Sequence, residues 1–97
     1  MTLYGEVAGH AMGDWPLEAA ATIGRGEGCD IPAVFCDVSR THAQVFPVPE
    51  EPGQWALLDL GSKNGTYLNG RRVGDTPVTL TPGDVIAVGK FNFKVGD

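Results

Sequence analysis

The feature that most restricts the fold of this 97-residue chain is a recurrence of short apolar runs, roughly every eight to twelve positions, each halted by Gly, Pro, Asn or Asp. The runs favour β-branched, aromatic and aliphatic residues, and some alternate with period two, the spacing at which side chains face opposite sides of a sheet. Those that read as strands are Thr2–Val7, Ala21–Gly24, Ala43–Phe46, Trp55–Asp59, Thr66–Leu68, Val78–Leu80, Asp84–Val88 and Phe91–Val95. Fourteen glycines and seven prolines are scattered along the chain and disfavour long helices. Leu17–Ala21, with three alanines, has room for one helical turn, far below the roughly 12 residues at which a helix holds itself in water. The implied class is an all-β sandwich formed by residues 1–97 as a single domain.

The turns say how the strands connect. Asn69-Gly70, between Thr66-Tyr67-Leu68 and Arg71-Arg72-Val73, supplies the two positive φ values of a tight hairpin. Thr81-Pro82-Gly83-Asp84 is a turn with Pro second and Gly third. Pro47, Pro49 and Pro52, with Glu50, Glu51 and Gly53, make a stiff polar loop. Trp55, Leu57, Ile86, Val88, Phe91 and Phe93 are the expected core.

Seven Lys and Arg against twelve Asp and Glu give a net charge of −5, a field that repels duplex DNA and argues against non-specific nucleic-acid binding. The apolar stretches fall far short of the ~20 residues that cross a bilayer, and the N-terminus is no basic leader with a hydrophobic run, so a cytoplasmic protein without membrane insertion is expected. Cys29 and Cys36 have neither metal spacing nor the density of a disulfide scaffold. They are expected to be reduced, with no metal and no cofactor.

With the scaffold given over to short strands, function belongs on loops. Three loops concentrate basic and hydroxyl residues: Gly24-Arg25-Gly26, Ser39-Arg40-Thr41-His42, and Gly61-Ser62-Lys63-Asn64-Gly65-Thr66. They hold three of the seven cations of an acidic chain, with Ser, Thr and Asn donors beside glycines that permit close backbone approach. Such a set suits an oxyanion. A phosphate takes a guanidinium fork, a second cation, hydroxyl donors and exposed main-chain N–H groups.

The residues that carry these loops also carry a resemblance. Ile23-Gly24-Arg25, Cys29-Asp30-Ile31, Ser39-Arg40-Thr41-His42-Ala43 and the run from Asp59 to Gly70 resemble, in order and spacing, the motifs of the forkhead-associated (FHA) domain, and Leu80-Thr81-Pro82-Gly83-Asp84 to Gly89 fits as well. The resemblance spans about Leu17 to Val95. It implies a twisted sandwich of two antiparallel sheets with about eleven strands, and recognition of phosphothreonine in an extended peptide without catalysis. By the same resemblance, Arg25 grips phosphate oxygens, Ser39 donates its hydroxyl, Arg40 its main-chain N–H, and Lys63 closes the pocket from the opposite loop. Asn64 holds the peptide backbone. His42 fixes the loops, and Gly24, Gly65 and Thr66 set their shape. The implied partner is a phosphothreonine protein or peptide produced by a Ser/Thr kinase, and the implied role is that of a signalling adaptor.

The chain departs from the family between Ile31 and Val38, where Pro32-Ala33-Val34-Phe35-Cys36-Asp37 is largely apolar. Val34 and Phe35 either form a contact surface or fold back on the core. In some relatives the residue two before the serine helps select the third residue after the phosphothreonine. It is Asp37 here, so an acidic residue at that peptide position is expected to be disfavoured. Met1 to Trp15 matches weakly, which leaves the strand count at the ends open. Two other functions compete: a phosphate-independent assembly module using a sheet face or Val34-Phe35, and a small hydrolase built on Ser39, His42 and Asp59. The second lacks a Gly-x-Ser-x-Gly elbow.

Overall fold

The computed structural model describes residues 1–96. Eleven strands follow one another: β1 (Thr2–Val7), β2 (His10–Pro16), β3 (Ala21–Gly24), β4 (Ile31–Pro32), β5 (Ala43–Pro47), β6 (Trp55–Asp59), β7 (Thr66–Leu68), β8 (Arg71–Arg72), β9 (Val78–Leu80), β10 (Val85–Val88) and β11 (Phe91–Val95). They form two sheets, one in the order β2-β1-β11-β10-β7-β8 and the other β4-β3-β5-β6-β9. Every pairing is antiparallel except the short β3–β4 contact, where Ile23 and Ile31 run side by side in parallel. No helix of the described residues is long and apolar enough to cross a membrane.

The inward faces of the sheets meet in one core that includes Leu3, Ile23, Ile31, Val45, Leu57, Ile86, Val88, Phe91 and Phe93, all buried. Phe91 and Phe93 stack with ring centroids 4.5 Å apart, and Trp15 meets both edge-on, a favoured aromatic geometry. Five of the six expected core residues are buried. Trp55 is the exception: it is half-buried and packs on the rim beside strand β9, where it faces Leu80.

The eight strands read from the sequence are all present. Asn69 and Gly70 have φ values of 52° and 82°, the two left-handed conformations of the anticipated hairpin. Gly83, at φ 94°, turns the chain as anticipated, and Asp84 N–H donates to Thr81 O at 3.1 Å. Asp84 itself stays in the turn, so β10 begins at Val85.

Strand β8 is the second arm of the Asn69-Gly70 hairpin, and two further elements were illegible. Strand β2 follows a turn at Ala8-Gly9, and its sequence, with Gly13 and Pro16, has no alternation to betray it; it pairs along β1 through a register shift at Gly5/Glu6. Strand β4 is two residues long and defined only by its neighbour. Leu17–Ala21 makes no helical turn. It bends at Glu18-Ala19 and enters β3, because pairing of Ala21 with Val45 outweighs the weak helix preference of three alanines. Val34 and Phe35 part company. Val34 is 71% exposed, while Phe35 turns in against Phe91, at a centroid distance of 6.0 Å.

Candidate functional site

Strands β3, β5 and β7 deliver the three basic loops to one end of the sandwich, and hydrogen bonds tie the loops together. Arg25 N–H donates to Ser39 O at 3.0 Å, and Gly26 N–H to Arg40 O at 3.0 Å. The Arg25 side chain adds a third tie through Nε to Val38 O, 3.0 Å. From the other side, Lys63 N–H donates to Ser39 Oγ at 3.0 Å, and Asn64 Nδ2 to Asp37 O at 2.9 Å. Residues separated by 24 and 27 positions thus share one surface.

These bonds fix which donors remain. Ser39 Oγ accepts from Lys63, so its own proton is free to donate outward. Because the Ser39 carbonyl faces Arg25, the trans peptide turns the following N–H, that of Arg40, away from the Arg25 loop. Among the described residues the Arg25 guanidinium bonds through Nε alone, leaving the four N–H groups of its terminal nitrogens. Arg25, Arg40, Lys63 and Asn64 are all exposed, and Ser39 is half-buried. The loops that carry Arg25, Arg40, Lys63 and Asn64 therefore meet at Ser39, and an oxyanion is the ligand that such a set of donors attracts.

His42 is the internal strut. It is fully buried, with Nδ1 accepting from Ser39 N–H at 3.0 Å and Nε2 lying 2.8 Å from Gly65 O. Since a carbonyl can only accept, Nε2 carries the proton, and the ring is neutral. Gly24 works by absence. A Cβ there would stand 2.2 Å from Arg40 O and 2.9 Å from Cys29 Sγ, so only glycine lets the Arg40 turn approach β3. Cys29 donates its thiol hydrogen to the same Arg40 carbonyl at 3.0 Å. Gly65 adopts φ 87°, which brings its carbonyl under His42.

Beneath the third loop lies the carboxylate of Asp59, which holds that loop together. Asp59 Oδ2 accepts from the N–H groups of Gly61 and Ser62, and Oδ1 from Ser62 Oγ at 2.5 Å and from Thr66 Oγ1 at 2.6 Å. Burial opposes its ionised form, but these hydrogen bonds from Ser62, Thr66 and Gly61 prevail and hold its pKa below the ordinary value. Ser62 Oγ in turn accepts from Gly65 N–H, and Thr66 is fully buried. The legible signal was an Asp two and three residues ahead of backbone N–H groups, the pattern of an Asx turn.

Ser39, His42 and Asp59 form no proton relay. Both imidazole nitrogens are engaged by backbone groups, the Ser39 hydroxyl accepts from Lys63 N–H, and Asp59 is bonded within its own loop. Among the described residues no group of three His, Cys, Asp or Glu side chains has the arrangement of a metal site. Both cysteines are free, Cys29 half-buried and Cys36 exposed.

Comparison with known proteins sets this end of the sandwich in context. A sequence profile described as the FHA domain matches residues 21–89, which include all three loops. The chain belongs to the FHA domain family. The glycogen accumulation regulator GarA of Mycolicibacterium smegmatis is 41% identical over 78 residues, 80% of this chain and 44% of that protein. The FHA domain of the CT664 protein from Chlamydia trachomatis superposes with a TM-score of 0.89 at 25% identity, covering 99% of this chain and 95% of that one. An FHA domain solved in a structural and functional analysis of phosphothreonine-dependent FHA interactions has a TM-score of 0.82 at 26% identity, covering all of this chain and 97% of that one. The matched segment occupies between 10% and 49% of the length of the curated relatives, so the FHA fold is what this chain shares with them.

Proposed function

We propose that this FHA domain is a phosphothreonine-dependent protein interaction module, an adaptor that reads the product of a Ser/Thr kinase in the cytoplasm. Arg25, Ser39, Arg40 and Lys63 take the phosphate, and Asn64 takes the backbone of the bound peptide. Gly24, His42, Gly65 and Thr66 support the pocket without touching the ligand. The observation that carries this reading is the mutual anchoring of three loops by the Ser39–Lys63, Arg25–Ser39 and His42–Gly65 bonds, which leaves hydroxyl, guanidinium and main-chain donors unengaged on one surface. The phosphothreonine dependence described for the FHA interactions above supports it. A phosphate monoester carries about −1.5 to −2 charges near neutrality, enough to draw a cluster of cations on a chain whose net charge is −5. The module binds and does not catalyse.

Asp37 borders this surface through its carbonyl contact with Asn64. Its carboxylate disfavours an acidic side chain at the third residue after the phosphothreonine. A phosphopeptide array probed with the wild type and with Arg25→Ala tests the pocket and this preference together. The reading requires phosphate-dependent spots that vanish with the variant. Spots indifferent to phosphate, or unchanged by the variant, refute it.

A second reading, phosphate-independent assembly, has one observation behind it: Val34 is 71% exposed beside the site. It gains if Val34→Glu abolishes partner capture while Arg25→Ala does not.

A further inference from the structure

Three of the seven cations sit on the phosphate loops, and the fold brings a fourth to their edge. Strand β8 returns alongside β7, with Arg72 opposite Tyr67 and Val73 N–H donating to Thr66 O at 2.9 Å. The exposed Arg72 lays its guanidinium over Gly65: a Cβ on that glycine would stand 2.8 Å from Arg72 Nε and 3.1 Å from Cζ. His42 holds the Gly65 carbonyl at 2.8 Å, so the backbone beneath the guanidinium is a fixed platform. Asn64 directly precedes that platform. A cation therefore stands one residue from the group that takes the peptide backbone.

We propose that Arg72 is a further specificity-determining residue, receiving an acidic side chain of the bound peptide beyond the segment held by Asn64. The assignment rests on the phosphopeptide reading. Neighbouring Cα atoms lie about 3.8 Å apart, and an extended ligand advances about 3.3 Å per residue. A carboxylate one or two residues along the peptide is thus within reach of the guanidinium. Its planar fork matches a carboxylate in a way that a point charge does not. Arg71 lies one residue away opposite Leu68, and the contact with Gly65 is made by Arg72.

The test is a positional scan in which each neighbour of a phosphothreonine is Asp in one peptide and Asn in the other. Affinities are read by fluorescence anisotropy at low salt. At one position, not the third after the phosphothreonine, the wild type should favour Asp by about two- to five-fold, the range of an exposed ion pair. Arg72→Gln should bring that ratio to about one, while Arg71→Gln keeps it. Phosphate-dependent binding with no Asp preference at any position overturns the Arg72 assignment and leaves the phosphopeptide reading standing. So does a preference that survives Arg72→Gln or is lost equally in Arg71→Gln. Equal binding of phosphorylated and unphosphorylated peptides overturns both.

Discussion

His42 and Gly65, 23 residues apart in sequence, are joined by a hydrogen bond of 2.8 Å between a fully buried imidazole and a backbone carbonyl. The same ring takes the Ser39 N–H on its other nitrogen. One neutral side chain thereby sets the spacing between the loop that carries the Ser39 hydroxyl and the loop that carries Lys63 and Asn64.

Replacing His42 by Ala leaves both of those backbone groups without their partner, and each unsatisfied buried group costs about 1 to 3 kcal/mol. His42→Ala should lower unfolding stability by about 2 to 5 kcal/mol in a urea titration. It should also weaken phosphopeptide binding, although the ring is not a ligand group. Unchanged stability would show that the strut bears no weight.

Gly24→Ala is expected to damage the site through geometry alone. Its methyl would meet Arg40 O at 2.2 Å, and that oxygen belongs to backbone already bonded to Gly26 and Cys29. The Arg40 turn must shift, at a cost of about 1 to 3 kcal/mol, as overpacking usually does. Thermal unfolding should report the loss, and calorimetry a weaker phosphopeptide affinity.

Acid should loosen the third loop. Burial raises the pKa of Asp59, but hydrogen bonds from Ser62, Thr66 and Gly61 outweigh that and leave it below its ordinary value of 3.8. Asp84 is lowered in the same way, with bonds from Asn69 and Thr81 overcoming burial. A depressed carboxyl contributes stability that is complete above the unfolded value and is lost as pH falls through the folded one. Stability should hold above roughly pH 5 and decline below pH 4. Asp59→Asn should flatten part of that decline in denaturant titrations at successive pH values. An unaltered slope would dissociate Asp59 from the effect.

Much of the fold was legible because its signals are local. Asn69-Gly70 and Pro82-Gly83 each dictate a backbone shape that no distant contact needs to supply. Strand β4 was illegible for the opposite reason: two residues have no periodicity, and Ile31 becomes a strand only because Ile23 lies beside it. The candidate ligand residues were readable from the basic, hydroxyl-rich loops and their likeness to a family. The supports His42, Gly24, Gly65 and Thr66 were readable from the same likeness, whereas Asp59, Ser62 and Arg72 were not. The roles of Asp59 and Ser62 depend on a carboxylate pointing into its own loop, and that of Arg72 on how a hairpin lays one side chain across a glycine.

The central claim is that Arg25, Ser39, Arg40 and Lys63 make one receptor for a phosphate dianion. Titration calorimetry with a phosphothreonine peptide and its unphosphorylated twin, on the wild type and on Arg25→Ala, tests it most directly. Each charge-assisted contact contributes about 1.5 to 3 kcal/mol, so Arg25→Ala should weaken phosphopeptide binding at least about ten-fold. Affinity should also fall with added salt and below about pH 6, where the phosphate takes up its second proton. Equal affinity for the two peptides, or no loss in Arg25→Ala, would contradict the account.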